Sequence, residues 1–115
     1  MPVRSLTSSV LIWPNKEQVV EALREWAEKA KAENPNLLQV GYFGSYARGD
    51  WGVGSDLDVV LILTDSDLPF ERRASHFDLT SLPVPVDVLV YTQAEWERLT
   101  KRREGKSWWD EVQWG

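Results

Sequence analysis

Two aspartates at i and i+2, Asp56 and Asp58, open the apolar run Val59-Val60-Leu61-Ile62-Leu63, and ten residues lie between them and a Gly44-Ser45 pair that closes an earlier apolar run, Leu37 to Phe43. Side chains alternate along a strand, so the two carboxylates point the same way from neighbouring pleats. At roughly 5 Å and an effective dielectric of about 20 they repel by on the order of 3 kcal/mol, a cost that a cation between them removes. The pair reads as a metal site. Glycine lets a backbone come close to a ligand, and the first N–H groups of a helix point at anions, so Gly44 and Ser45 read as a phosphate cradle to which Ser45 adds a hydroxyl. Arg48, one turn further on, either reaches a phosphate from the same face or stays a solvated surface charge.

Asp87 is the third carboxylate of interest, set inside Val86-Asp87-Val88-Leu89-Val90. An isolated charge there costs several kcal/mol unless it is paired, coordinated or at the wet end of the strand. A helical crossover between the second and third strands would let the two lie side by side and bring Asp87 to Asp56 and Asp58. Three carboxylates are the hard oxygen donors that Mg²⁺ takes together with waters and substrate phosphates. Two such ions could activate an attacking hydroxyl and hold a leaving pyrophosphate in line.

The elements that must position these residues follow from pattern. Asn15 with Gln18 marks a helix start, Val20, Leu23, Ala27 and Ala30 supply its apolar stripe, and Asn34-Pro35-Asn36 ends it. Leu37 to Phe43 is a mostly buried strand, a short helical turn runs from Gly44 to Arg48, and the strand Asp56 to Thr64 is apolar enough to be covered on both sides. Phe70, Ala74 and Phe77 behind Pro69 predict a short amphipathic helix, and Pro83-Val84-Pro85 leads into the strand Val86 to Tyr91. Thr92-Gln93-Ala94-Glu95 is a capping box for a last helix carrying Trp96 and Leu99 and stopped by Gly105. Before all of this, Val10-Leu11-Ile12-Trp13 is a short strand or an apolar arm. The architecture expected is one α/β (α+β) domain over residues 1–115, with a motif core at 37–91 and a helix and tryptophan-rich tail at 92–115.

Composition narrows the function classes. A length of 115 residues gives one core and no separate substrate domain, and a net charge of −5 argues against a protein that coats nucleic acid. The absence of cysteine excludes disulfides and thiolate metal sites. No apolar run reaches membrane-spanning length and the start of the chain makes no convincing signal peptide, so the expected compartment is the cytoplasm. His76 is the one histidine, which excludes histidine-rich metal sites, and a Ser45-His76-Asp87 triad lacks the sequence that presents a nucleophilic serine. Gly52-Val53-Gly54 lacks the third glycine of a dinucleotide fingerprint and reads as a loop over a triphosphate. The run Lys101-Arg102-Arg103 sits where a helix end favours cations.

Taken jointly, Gly44-Ser45, the ten-residue spacer, Asp56-Leu57-Asp58 and a later Asp87 in an apolar strand resemble the minimal nucleotidyltransferases of the DNA polymerase β superfamily, the type that includes antitoxin-like members. The resemblance spans Leu37 to Tyr91. It implies a nucleotidyltransferase fold with a small mixed sheet and flanking helices, and Mg²⁺-dependent transfer of a nucleoside monophosphate from a nucleoside triphosphate, ATP first among them, with release of pyrophosphate. By position, Asp56, Asp58 and Asp87 would bind two metal ions and carry catalysis, Asp87 also helping to activate the acceptor hydroxyl, while Gly44 and Ser45 would hold the triphosphate. Larger members continue into a helical domain, whereas here only Thr92 to Gly115 follows the third strand, so the acceptor is open. Small relatives are often paired with a helical HEPN-type partner in toxin–antitoxin-like arrangements, and some attach AMP to a tyrosine of that partner.

Two other readings stand beside the enzyme. One is a non-catalytic module that neutralises a partner protein, and the other a transferase that acts on a small molecule and completes its acceptor pocket as a homodimer. Trp108, Trp109 and Trp114 fit either a tail folded back over the core or a docking surface, since aromatics are enriched at interface centres. An intact carboxylate triad favours the enzyme, because a binder has no need of three repelling charges.

Overall fold

The computed structural model describes residues 14–52, 54–101 and 107–114. The expected apolar arm Val10–Trp13, Arg102, Arg103 and the stop at Gly105 lie outside them. Helix α1, Lys16–Glu33, begins with the expected capping box: the Asn15 side chain accepts from the Gln18 backbone N–H at 2.8 Å, and the Gln18 side chain accepts from the Asn15 N–H at 2.9 Å. Its inward face is Val19, Leu23, Ala27 and Ala30, so Val19 takes the place expected for Val20, which is half-buried. Spacings of four, four and three from Val19 keep that face narrow enough to lie flat on a sheet.

Strands β1 (Leu37–Phe43), β2 (Leu57–Leu63), β3 (Val86–Thr92) and β4 (Gln113–Trp114) form one mixed sheet in the order β3-β2-β1-β4. β1 pairs antiparallel with β2 and with β4, whereas β2 and β3 run parallel. The central β2 is closed on both faces, with Val59, Val60 and Leu61 at 0% exposure. Its odd-numbered residues join Val19, Leu23 and Ala27 in the core under α1, and Val60 and Ile62 face the opposite side with Val112, Phe43, Tyr91, Trp96 and Trp108. Asp58 shares the parity of Val60 and Ile62. The alternation of one strand thus sends its aspartate toward the aromatic side.

The crossover from β2 to β3 is a shorter helix than expected: Ala74 and Phe77 pack on the core as predicted, and Phe70 does not. It is one turn, α3 (Phe70–Arg73), followed by a 3₁₀ turn, Ala74–His76, and it buries Arg73 while leaving Phe70 40% exposed. Arg73 is forked onto Glu95, with Nη2 to Oε2 at 3.1 Å, and also donates to the carbonyls of Leu68 at 2.9 Å and Val90 at 3.3 Å. Satisfying the guanidinium on a carboxylate and two carbonyls is what makes its burial tolerable. Glu95 in turn closes the capping box of α4 (Gln93–Lys101), accepting from the Thr92 N–H at 2.9 Å while Thr92 Oγ1 accepts from the Glu95 N–H at 3.2 Å.

The Arg73 hydrogen bonds hold the Glu95 carboxyl down at about 2 from its ordinary 4.5. A carboxyl depressed by folding adds stability that is complete above its ordinary value and is lost as pH falls toward the depressed one. Arg73→Ala removes one partner and strands the other, and because Glu95 is one-third exposed the cost is expected at about 2–3 kcal/mol, below the figure for a fully buried pair. A melting temperature lower by roughly 10 °C follows at neutral pH. Urea midpoints between about pH 4.5 and about pH 2 should fall more steeply in the wild type than in the variant.

Candidate active site

Gly44, between β1 and the single turn α2 (Ser45–Arg48), has φ 76° and ψ −148°, a conformation essentially reserved for glycine. A Cβ built there would overlap Oδ2 of Asp58. The position therefore needs glycine twice, once for the backbone and once for the carboxylate beside it. The helix after Gly44 is too short for a large dipole, and what the turn offers an anion is local: the Gly44 main chain and the Ser45 hydroxyl. Tyr46 is fully buried and stacks on Trp51 at 5.5 Å between ring centres, pinning this turn to the loop that leads into β2. In that loop Gly52 N–H donates to Ser55 Oγ at 2.8 Å and Ser55 N–H to the Gly52 carbonyl at 2.9 Å.

β2 begins at Leu57, one residue later than expected, so Asp56 immediately precedes it, and Asp56 is exposed. Asp58 is the second residue of β2, opposite Phe43 of β1 and in register with Asp87 of β3. Asp87 is exposed near the start of an edge strand, so the solvent-wet placement answers how a charge sits in that apolar run. Burial, with the negative charges of Asp87 and Asp56 behind it, pushes the Asp58 carboxyl up, against a smaller downward pull from Arg48. The same pocket of about 510 Å³ is lined by Gly44, Ser45, Arg48, Asp56, Asp58 and Asp87, together with Phe43, Ser55, Trp108 and Glu111.

Among the described residues no three His, Asp or Glu side chains close around one ion position. The donor set nonetheless fits Mg²⁺ chemically, because that ion is held by one or two carboxylates plus substrate phosphates rather than in an all-protein cage. Repulsion among Asp56, Asp58 and Asp87 is the local excess of negative charge that such an ion relieves.

Trp108 and Glu111 are two of the four lining residues, with Phe43 and Ser55, that pattern reasoning did not assign to the site. Trp108 and Glu111 come from a 3₁₀ turn, Trp108–Glu111, capped by Ser107 and Asp110, and lead into β4. Trp108 packs on Phe43 at 4.6 Å and on Trp96 at 5.7 Å between ring centres, so at this residue the tail folds back over the sheet. A signal for it existed. Gly41 interrupts an otherwise bulky strand, which marks a close backbone approach. A Cβ there would stand 2.6 Å from Val112 Cγ1 and 2.8 Å from Trp114 Cε3.

A mixed sheet whose first turn abuts a carboxylate, with a second carboxylate in parallel register beside it, is the frame on which the comparisons with known proteins bear. The chain belongs to the nucleotidyltransferase domain family, which matches residues 23–109. Its fold is the nucleotidyltransferase fold. Seven chains of solved structures resemble it, among them the crystal structure of a protein from Sulfolobus solfataricus described as a nucleotidyltransferase, with 26% sequence identity and a TM-score of 0.60 over 72% of this chain and 75% of that one. No curated protein matches the sequence. Among the described residues no helix is long and apolar enough to cross a membrane.

Proposed function

We propose that this nucleotidyltransferase is metal-dependent and moves AMP from ATP onto an acceptor hydroxyl of a helical HEPN-type partner, as the enzyme half of a toxin–antitoxin-like pair in the cytoplasm. The observation that carries the reading is the parallel register of β2 and β3, which sets Asp87 beside Asp58 at the mouth of a pocket whose other lip is the Gly44 turn. Partner, compartment and base preference rest on the family resemblance.

Bound Mg²⁺, held by Asp56, Asp58 and Asp87, would neutralise charge on the triphosphate and lower the pKa of the attacking hydroxyl. The chain's own groups do the rest. Gly44 allows the phosphates close to the backbone, Ser45 Oγ orients them, and the Arg48 guanidinium offsets part of their charge. Asp87, exposed on the edge strand, is open to an incoming acceptor and can take its hydroxyl proton on a carboxylate oxygen. The acceptor oxygen then bonds to the α-phosphorus as the bond to the bridging oxygen breaks, and pyrophosphate leaves.

The test is incubation of the purified protein, with and without a co-purified helical partner, with α-labelled ATP, CTP, GTP or UTP and Mg²⁺. Label should pass to the partner with release of pyrophosphate, from ATP above the others, and an Asp56→Asn/Asp58→Asn variant should transfer none. Tight partner binding with no turnover of any nucleotide would replace this reading with that of the non-catalytic module.

A further inference from the structure

The wall of the pocket supplied by the C-terminal segment has no part in the chemistry just described, yet its position is specified by several independent contacts. Gly41 is bare where Val112 and Trp114 cross it, Val112 is buried, the Ser107–Asp110 capping box fixes the turn, and Trp108 is wedged against Phe43, Tyr91 and Trp96. This construction delivers Glu111 to Arg48, 63 residues away in sequence, where Arg48 Nη1 donates to Glu111 Oε1 at 3.2 Å. Arg48 Nε donates to Asp50 Oδ2, also at 3.2 Å. Half-exposed ion pairs of this kind contribute little to folding. Their effect is on conformation: a long side chain is held in one rotamer at the pocket, with the remaining N–H donors of its fork unused among the described residues.

We infer that the segment Trp108–Glu111 is part of the nucleotide site, Glu111 being a positioning residue that holds the Arg48 guanidinium ready for the phosphates and Trp108 the indole surface that meets the nucleoside. The inference rests on the nucleotide reading above. Phosphates at Gly44 and Arg48 leave the nucleoside beside Phe43 and Trp108, the aromatic lining of the pocket, and every base has a face that stacks on an indole. Ordering an arginine before the ligand arrives removes a cost that binding otherwise carries. Glu111 also places a negative charge near the triphosphate, so the opposite outcome, a latch that withholds Arg48, is physically distinct and measurable.

The experiment is calorimetric titration of the intact protein with Mg²⁺ and an ATP analogue bearing a non-hydrolysable α,β-methylene bridge. Glu111→Ala should weaken binding roughly three- to tenfold. Glu111→Gln, whose amide oxygen still accepts from Nη1, should bind close to the wild type. In an Arg48→Ala background Glu111→Ala should have no further effect, whereas a residue that only seats the tail would weaken binding equally in both backgrounds. Trp108→Leu should weaken binding roughly tenfold, with Trp108→Phe recovering most of it. Tighter binding by Glu111→Ala, additive effects in the double variant, or unchanged binding by Trp108→Leu would overturn the inference while the nucleotide reading stands. Absence of any analogue binding by the wild-type protein would overturn both.

Discussion

Asp58→Asn should lower nucleotidyl transfer by about a thousandfold and, in the same protein, raise the melting temperature at neutral pH. The rate loss is of the size seen when one electrostatic group is removed from a preorganised site. The stability gain has a separate origin. Burial and the flanking Asp87 and Asp56 push the Asp58 carboxyl up, so its ionised form is unfavourable in the metal-free fold. A group raised by folding contributes stability below its ordinary value of 3.8, and loses that contribution as pH rises through the raised one. Asparagine keeps the shape and removes the charge, and a rise of about 2–4 °C at pH 7 is expected, shrinking to nothing in acid. Thermal melts at both pH values, run without divalent cations, check the stability half. A lower melting temperature at neutral pH would mean that the carboxylate makes a structural bond. Functional sites hold unfavourable charge at a cost to the fold, and Asp58 is a residue where that trade is made.

Gly44→Ala is the second large effect, and here rate and stability should fall together. The backbone at φ 76°, ψ −148° costs about 1–3 kcal/mol in any residue with a Cβ, and the new methyl would displace the Asp58 carboxylate from its place beside Asp87. Moving a reacting group by about 1 Å costs on the order of a hundredfold in rate. A melting temperature lower by roughly 5–10 °C should accompany it. Gly52→Ala is the matched control. Nothing lies within 4 Å of a Cβ built at Gly52, and its φ is not positive. That variant should melt as the wild type does. Equal damage from both substitutions would point to loop rigidity rather than to the carboxylate at Gly44.

Much of this arrangement is legible in the sequence because local rules and tertiary demands agree. Asn15-x-x-Gln18 caps α1 and Thr92-x-x-Glu95 caps α4 as their spacing predicts, and the run Val59 to Leu63 is buried on both faces as its lack of alternation implies. The expected neighbourhood of Asp58 and Asp87 is met by a parallel pairing, although the connection that delivers it is shorter than the amphipathic helix that Phe70, Ala74 and Phe77 predict, and turns Phe70 outward. That expectation fails at Arg73. An arginine is read as a surface residue, and nothing near it in the sequence tells that Glu95 waits 22 residues on to neutralise it. The route of the tail to the pocket is hidden for the opposite reason. A 3₁₀ turn and a two-residue strand are too short for any hydrophobic period to show, and Trp108 and Glu111 reach the pocket only through the gap at Gly41.

Arg73 has a bearing on how copies of the protein behave toward one another. Among the described residues β3 is the outermost strand on its side of the sheet, and the Val90 carbonyl that receives the Arg73 guanidinium points off that side. An outer strand with open carbonyls is a template for a strand from another molecule, and a charged side chain laid across it is one way natural sheets deny the template. Arg73 therefore occupies one such carbonyl as well as closing the crossover. Its loss should show as concentration-dependent association in sedimentation at temperatures well below the melting transition, with growth in extended-strand infrared absorption rather than exposure of the core.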